Sequence, residues 1–185
     1  MGGSWSGTGT QAPPTGDYHR TYVRQKDQDV VLIPIDQSRQ SEAAFDWYMQ
    51  HVHRQENVVR VIHCQEIKLD TPFLPELKAS LIEEQMTDAR TTGIKLIQKF
   101  ENKLSTYQVR GSVHSEFSPH PGEYICNALE RYDGTMVVMG TRGFSPLRKT
   151  ILGSVSQYVL NNSNVPVTVI PPDVLQKVMR QKPRG

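Results

Sequence analysis

The residue types best suited to binding an anion lie between positions 140 and 156. Gly140 and Gly143 follow an apolar run, and Gly153 and Ser154 come after nine intervening residues. Gly140 and Gly143 can adopt positive φ and let a ligand approach the bare backbone, and a left-handed conformation is open to Gly153 as well. The start of a helix adds free N–H groups and the positive end of its dipole. Together with the cationic Arg142, these residues predict a phosphate site.

Two other interpretations concern the same segment. The glycines could simply turn the chain while Ser154 caps a helix, and Arg148 and Lys149 could be solvated loop residues. Residues 143–150 also nearly match the phosphate-binding P-loop, but Arg148 occupies the position of its second glycine. Pro146 and the glycine further downstream also disfavour a P-loop, so we prefer the helix-start interpretation.

A carboxylate and a hydroxyl follow the first apolar run of the chain. The run Val30–Ile35 is followed by Asp36 and Ser38. In parallel sheets ligands bind beyond the carboxyl ends of the strands, where the strand order reverses, so Asp36 is a candidate ligand-binding residue. The alternative is that Asp36 serves only as a turn or N-cap carboxylate for the next helix.

Strands and helices are predicted to alternate along the chain. Continuous apolar runs are typical of strands buried on both faces of a sheet, and residues at helical spacing separate them. We expect strands at 30–35, 58–64, 107–113, 135–139 and 165–170, with the third suited to a sheet edge. We expect helices after a Ser41 N-cap, along a stripe that includes Ile94, Phe100 and Leu104, at 121–132 and at 153–162. Strict alternation predicts a doubly wound α/β fold with helices on both faces of a parallel sheet.

Composition sets the limits of the domain. Residues 1–27 are rich in Gly, Ser, Thr and Pro and are expected to be a flexible tail, followed by a domain at 28–172. Residues 173–185 are expected to be a polar tail with one short helix around 174–179. With a charge of +2 and no basic stripe, the chain is not expected to bind nucleic acid.

Membrane insertion, secretion and metal binding are not predicted either. No apolar stretch is long enough for a membrane span, and no secretory signal is present, so we expect a cytoplasmic protein. Cys64 and Cys126 are far apart and are expected to be reduced thiols. His51 and His53 would lie on different helix faces, which makes a metal pair improbable.

The glycine spacing resembles a known nucleotide motif. Gly140, Gly143, Gly153 and Ser154 fit G-x2-G-x9-G-[ST], the motif of the ATP-binding branch of the universal stress protein family. The likeness extends from Asp36 at the end of strand one to the last strand. It implies a Rossmann-like sheet of five strands in the order 3-2-1-4-5, with the switch between strands one and four.

The same resemblance implies a nucleotide site. The motif residues would hold the ribose and phosphates, Asp36 would contact the adenosine, and the backbone at Pro34 and Cys64 would border the adenine. His63 is left out as a packed core histidine. The expected site comprises Pro34, Asp36, Cys64, Met139, Gly140, Arg142, Gly143, Gly153, Ser154, Val155 and Ser156.

The implied function is that of a binding protein. The chain would be a stress-response sensor or regulator that binds ATP or AMP, with Mg²⁺ bound through the phosphates. It would form a homodimer through its last strand. No residue set resembles a catalytic apparatus. Two alternatives stay open: a slow Mg²⁺-dependent ATPase and a nucleotide-free protein-interaction module of the same fold.

Overall fold

The computed structural model describes residues 28–65, 75–141 and 152–181. Five strands alternate with five helices along the described parts of the chain. The strands are β1 Val30–Ile35, β2 Val58–Gln65, β3 Gly111–Phe117, β4 Met136–Gly140 and β5 Val167–Ile170. The helices are α1 Arg39–His51, α2 Pro75–Thr106, α3 Pro121–Arg131, α4 Ser154–Asn162 and α5 Pro172–Gln181. Among the described residues, no helix has the length and apolar content needed to cross a membrane.

The strands form one parallel sheet in the order β3-β2-β1-β4-β5. This order confirms the predicted doubly wound α/β fold and leaves β3 and β5 at the edges. The order reverses between β1 and β4, as the resemblance implied. Ligand crevices open at such a switch point because the connections on either side leave it in opposite directions.

The ladder between β1 and β4 is short. β1 pairs with β2 over all six of its residues, but with β4 only through Val31 opposite Met136 and Leu32 opposite Val137. Pro34 lies beyond those two pairs, where its missing N–H removes no bond to β4. The carboxyl ends of β1 and β4 are therefore not held together by a ladder, and a crevice opens between them.

The apolar strands explain why helices cover both faces. Val31, Ile33 and Ile35 pack on one face with Phe45 of α1 and Phe100 of α2, in a cluster that also includes residues of α5. The alternate residues of β1 pack on the other face with residues of α3 and α4. A strand buried on both faces needs a continuous apolar run, which is how β1 reads in the sequence.

Several predicted boundaries were wrong. Strand three runs over Gly111–Phe117 rather than 107–113, because the preceding residues close α2 in a turn that includes Gln108 at φ 54°. The N-cap of α1 is Ser38, whose side chain accepts from the backbone N–H of Ser41, and Ser41 lies inside the helix. Strand five begins at Val167, two residues later than predicted.

Two helices differ from their expected apolar patterns. Ile94 of α2 is 55% exposed, whereas Leu96, which the predicted stripe omitted, is buried with Phe100. Helix α5 extends over ten residues rather than about six, and it buries Leu175 and Val178 in the core. The stretch after Pro171 thus contributes a packed apolar face although its composition is polar.

Candidate functional site

A cavity of about 420 Å³ opens at the carboxyl edge of the sheet, at the switch point. Its walls come from the ends of β1, β2 and β4, from the start of α4, and from residues of α1, α2 and α3. This volume lies within the range of cavities that bind small ligands. The cavity is therefore the place where the fold positions a site.

Nine of the eleven residues predicted from the sequence line this cavity. The other two, Arg142 and Gly143, lie outside the described residues, as do Arg148, Lys149 and the whole near-match to a P-loop. The nine come from four separate stretches of the chain and are Pro34, Asp36, Cys64, Met139, Gly140, Gly153, Ser154, Val155 and Ser156.

Asp36 organises the turn between β1 and α1. One carboxylate oxygen accepts hydrogen bonds from the backbone N–H of Ser38, at 2.9 Å, and from the Ser38 hydroxyl. The Ser38 oxygen in turn accepts from the N–H of Ser41 at 3.2 Å, and the Ser41 hydroxyl donates to the Asp36 carbonyl at 3.0 Å. Asp36 therefore performs the turn role that the sequence left open, while its side chain also borders the cavity.

Gly140 is needed for close packing rather than for positive φ. A Cβ at this position would lie 2.9 Å from the carbonyl oxygen of Gln40 in α1, and the φ of Gly140 is not in the left-handed region. Gly140 therefore does not use the positive φ that glycine allows, and its lack of a side chain instead lets helix α1 pass directly over the end of β4. The hydroxyl of buried Ser156 approaches the Gly140 carbonyl at 3.5 Å, which links α4 to the same strand end.

The start of α4 faces the cavity with its amide end. Gly153 is the N-cap, with φ −63° and ψ 154°, and no side chain caps the helix. Gly153 therefore does not adopt a left-handed conformation either. The backbone N–H groups of Ser154, Val155 and Ser156 occupy the first turn, where an α-helix provides no internal acceptor. Such a turn favours an anionic ligand.

A polar cluster at the end of β2 was missed by the sequence analysis. His63, left out as a core histidine, is buried but lines the cavity, and its Nδ1 lies 3.0 Å from the Ser115 hydroxyl. The Gln65 amide donates to the same hydroxyl at 2.7 Å. Burial lowers the pKa of His63, and the charge of Asp36 opposes this effect. The rule that ligands bind at strand ends would have identified both β2 residues.

The cavity has little acidic or thiol character. Asp36 is the only carboxylate among its described lining residues, and Cys64 contributes a thiol. Cys64 and Cys126 are both free. Within residues 28–65, 75–141 and 152–181, no group of three or more His, Cys, Asp or Glu residues is arranged to hold a metal ion.

The fold and the site define a doubly wound α/β protein with a ligand-sized cavity at its switch point. Residues 29–171 match the model of the universal stress protein family, so the chain belongs to this family. The matched residues contain the five strands, the cavity and the glycine motif.

Curated relatives share modest identity with the chain. It is 26% identical over 155 residues to the uncharacterized protein C167.05 of Schizosaccharomyces pombe, covering 83% of this chain but only 25% of that protein. It is 25% identical over 147 residues to the universal stress protein YxiE of Bacillus subtilis, covering 76% of this chain and 97% of that protein. The chain thus spans about a quarter of the yeast relative and nearly all of the bacterial one.

Solved structures show the same fold. A universal stress protein family protein from Arabidopsis thaliana with AMP bound has a TM-score of 0.56 and 20% identity, over 79% of this chain and 97% of that chain. A universal stress protein in complex with cAMP has a TM-score of 0.56 and 14% identity, over 77% of this chain and 96% of that chain. At these identities the likeness concerns the fold alone.

Proposed function

We propose that this chain binds an adenine nucleotide, ATP or AMP, in the cavity at the switch point and acts as a nucleotide-dependent sensor or regulator in a cytoplasmic stress response. The observation that carries the proposal is the convergence of nine described residues of the expected site, three of them from the glycine motif, on one cavity. Family membership supports it, as do the AMP and cAMP complexes of structural neighbours.

Each end of the cavity suits a different part of a nucleotide. The first turn of α4, from Gly153 to Ser156, offers backbone donors and a positive dipole end for the phosphates. Asp36 offers a carboxylate that would accept from ribose hydroxyl groups. The backbone at Pro34 and Cys64 would border the base. A divalent cation such as Mg²⁺ would then bind through the phosphates rather than through a protein metal site.

The assembly belongs to the same proposal. We propose a homodimer paired through β5, because this strand lies at a sheet edge and carries the apolar residues Val167 and Val169. An open apolar edge favours pairing with a second copy of the same strand.

Mass spectrometry of nucleotide extracted from the purified protein tests the function directly. We expect ATP or AMP at a substantial molar fraction, and calorimetry on the stripped protein should show adenine nucleotides binding. A purified protein that carries no nucleotide and binds neither ATP nor AMP at millimolar concentration would support a nucleotide-free interaction module instead.

Steady-state phosphate release distinguishes a sensor from a slow ATPase. Asp36 is the only carboxylate among the described cavity residues, and it is assigned to the ribose rather than to the γ-phosphate. A water molecule near the γ-phosphate would therefore lack a carboxylate base from the described wall. We expect less than one turnover per protein over an hour with Mg²⁺ and ATP, and sustained release would favour the enzyme.

A further inference from the structure

The end of β2 holds a buried amide, that of Gln65, at the wall of the cavity. Gln65 lines the cavity and is only 8% exposed. Its Nε2 donates to the Ser115 hydroxyl at 2.7 Å, and this hydroxyl also bonds the Nδ1 of His63 at 3.0 Å. The nitrogen side of the amide is therefore held by a partner on the neighbouring strand β3.

Helix α2 packs against the same side of the amide. A Cβ at Gly93 would lie 2.3 Å from the Nε2 of Gln65 and 3.3 Å from the Ser115 hydroxyl oxygen. A side chain at Gly93 would therefore require the Gln65 amide to shift. Gln65 thus lies between β3 and α2, and its amide has little freedom to turn.

The other side of this amide lacks a partner. Among residues 28–65, 75–141 and 152–181, the buried Oε1 of Gln65 has no hydrogen-bond donor. A buried carbonyl oxygen without a donor is unfavourable, and such atoms in native proteins call for an explanation. Because Oε1 is an acceptor only, an N–H or O–H donor would satisfy it, and a ligand in the adjoining cavity is a source of such a donor.

The position of Gln65 indicates which part of a nucleotide supplies that donor. The phosphates are assigned to the start of α4 and the ribose to Asp36, both on the β1–β4 side of the crevice. Gln65 lies beyond Cys64 on β2, on the side where the base would bind. The donor that distinguishes adenine among the common purines is its exocyclic 6-amino group, since hypoxanthine and guanine carry an acceptor oxygen there.

We propose that Gln65 selects 6-amino purines by accepting a hydrogen bond from the 6-amino group at Oε1. This inference rests on the proposed function, since it concerns the same cavity. A 6-oxo purine would bring one acceptor against another and would be bound more weakly. Sites that hydrogen-bond a particular ligand group reject analogues that lack it because their own polar atoms are then left unpaired.

Calorimetric titration with three nucleotides tests the selection. The ligands are AMP, IMP and purine riboside 5′-monophosphate, which lacks any 6-substituent. On the unaltered chain we expect AMP to bind at least about tenfold more tightly than IMP, with the unsubstituted purine between them. These ligand comparisons do not depend on the folding of any variant.

Two variants assign the effect to Gln65. Gln65→Met removes the amide but keeps the length of the side chain, and we expect it to weaken AMP binding about tenfold while IMP affinity stays the same or rises. Gln98→Met is the control, because Gln98 is an exposed glutamine of α2 that is not among the described residues lining the cavity. It should retain the preference for AMP over IMP.

The outcomes separate the inference from the proposed function. Equal affinity of the unaltered chain for AMP and IMP, or a folded Gln65→Met protein that keeps the full preference for AMP, would overturn the role of Gln65 and leave nucleotide binding intact. Binding of none of the three nucleotides would overturn the proposed function, and the inference with it.

Discussion

Two roles of Asp36 can be separated by two substitutions. Its carboxylate accepts from the Ser38 N–H and would also contact the ribose. We expect Asp36→Ala to reduce AMP affinity by about 1–3 kcal/mol, the range for a hydrogen bond to a charged group. It should also lower the free energy of unfolding by about 1 kcal/mol, as loss of a capping side chain does.

Asp36→Asn is the control for the turn role, because its amide oxygen still accepts from the Ser38 N–H. We expect near-normal stability in urea unfolding but reduced affinity in calorimetry. If both variants bind AMP normally and Asp36→Ala is merely less stable, Asp36 serves the turn alone.

Gly140 and Gly153 are expected to respond oppositely to a side chain. A Cβ at Gly140 would meet the Gln40 backbone at 2.9 Å, so Gly140→Ala should destabilise the fold by about 1–3 kcal/mol, as overpacking does. Gly153 has φ −63° and ψ 154°, which valine adopts easily. Gly153→Val should therefore stay folded and lose nucleotide binding, because its side chain would occupy the space proposed for the phosphates.

Thermal melting and fluorescent-nucleotide titration of both variants measure the contrast. Lys149→Ala is the comparison for the P-loop alternative, and we expect it to lower affinity less than about tenfold. The opposite ranking, with Lys149→Ala abolishing binding and Gly153→Val harmless, would refute the assignment of the phosphates to α4.

Sequence reasoning located the motif glycines but misjudged why they are glycines. Spacing and composition identified Gly140 and Gly153, and both line the cavity. Their backbone conformations could not be read from the sequence, because the close approach of Gln40 depends on how α1 packs over β4. Gln65 could have been found from the strand-end rule, but its contact with Ser115, fifty residues away, could not.

Helices α1 and α2 are joined by a small ion network. Lys103 of α2 contacts the carboxylates of Asp46, at 2.5 Å, and Glu42, at 3.2 Å, with side-chain exposures of 15%, 7% and 20%. Lys99 also contacts Glu42, at 2.7 Å, but is 47% exposed. We expect Lys103→Met to cost about 1–2 kcal/mol of unfolding free energy, because well-buried Asp46 loses a cationic partner.

Lys99→Met is the matched control and should cost less than about 1 kcal/mol, as exposed pairs do. Urea unfolding at low and high salt measures both changes. If Lys103→Met and Lys99→Met lower the unfolding free energy equally, burial of the network does not contribute to its stabilising effect.

The types of the elements could be predicted because the spacing of apolar residues in a helix or strand reflects which of its faces are buried. The continuous apolar run of β1 and the helical pattern of α3 follow from the faces that each element buries, and both were predicted almost to the residue. Strand three was displaced because β3 lies at an edge and most of its residues are only half-buried, which leaves a weak apolar signal. The length of helix α5 was underestimated because two buried residues suffice to pack it against the core.

The stability of the whole molecule should fall on the acid side of neutrality. Burial is the main cause that lowers the pKa of His53, His63 and His114. Because the unfolded chain then binds protons more readily than the folded one, folding free energy is lost as pH falls below about 6.5. Urea unfolding should give a constant stability from pH 8 to 7 and a decline towards pH 5.5.

The range from pH 8 to pH 5.5 is chosen because most carboxylates titrate below it. His63→Asn should make the decline shallower by removing one of the three groups. A stability that is flat or rises between pH 7 and 5.5 would contradict the effect of burial on these histidines.

The proposed dimer can be tested without disturbing the sheet. The N–H of Val137 in β4 donates to the Pro166 carbonyl at 3.0 Å, so in a parallel ladder the polar groups of Val167 and Val169 point away from β4. Val169→Pro removes an outward donor and leaves the β4–β5 ladder in place. We expect light scattering to give a dimer mass for the unaltered chain at micromolar concentration and a monomer mass for Val169→Pro.

A monomer mass for the unaltered chain at these concentrations would refute the β5 dimer. The strand order that exposes β5 was predicted from the family resemblance, whereas alternation alone gave only the class of fold. Several orders are compatible with the same alternation, because strand order depends on the direction of each crossover.

Cys64 provides a position at which the cavity can be labelled covalently. Cys64 lines the cavity and is half-buried, whereas Cys126 of α3 is not among the described lining residues, and burial raises the pKa of the Cys126 thiol. A small electrophile shaped to the cavity would therefore modify Cys64 in preference to Cys126. With such a reagent, the fraction of labelled protein would report how much of the site is vacant inside a living cell.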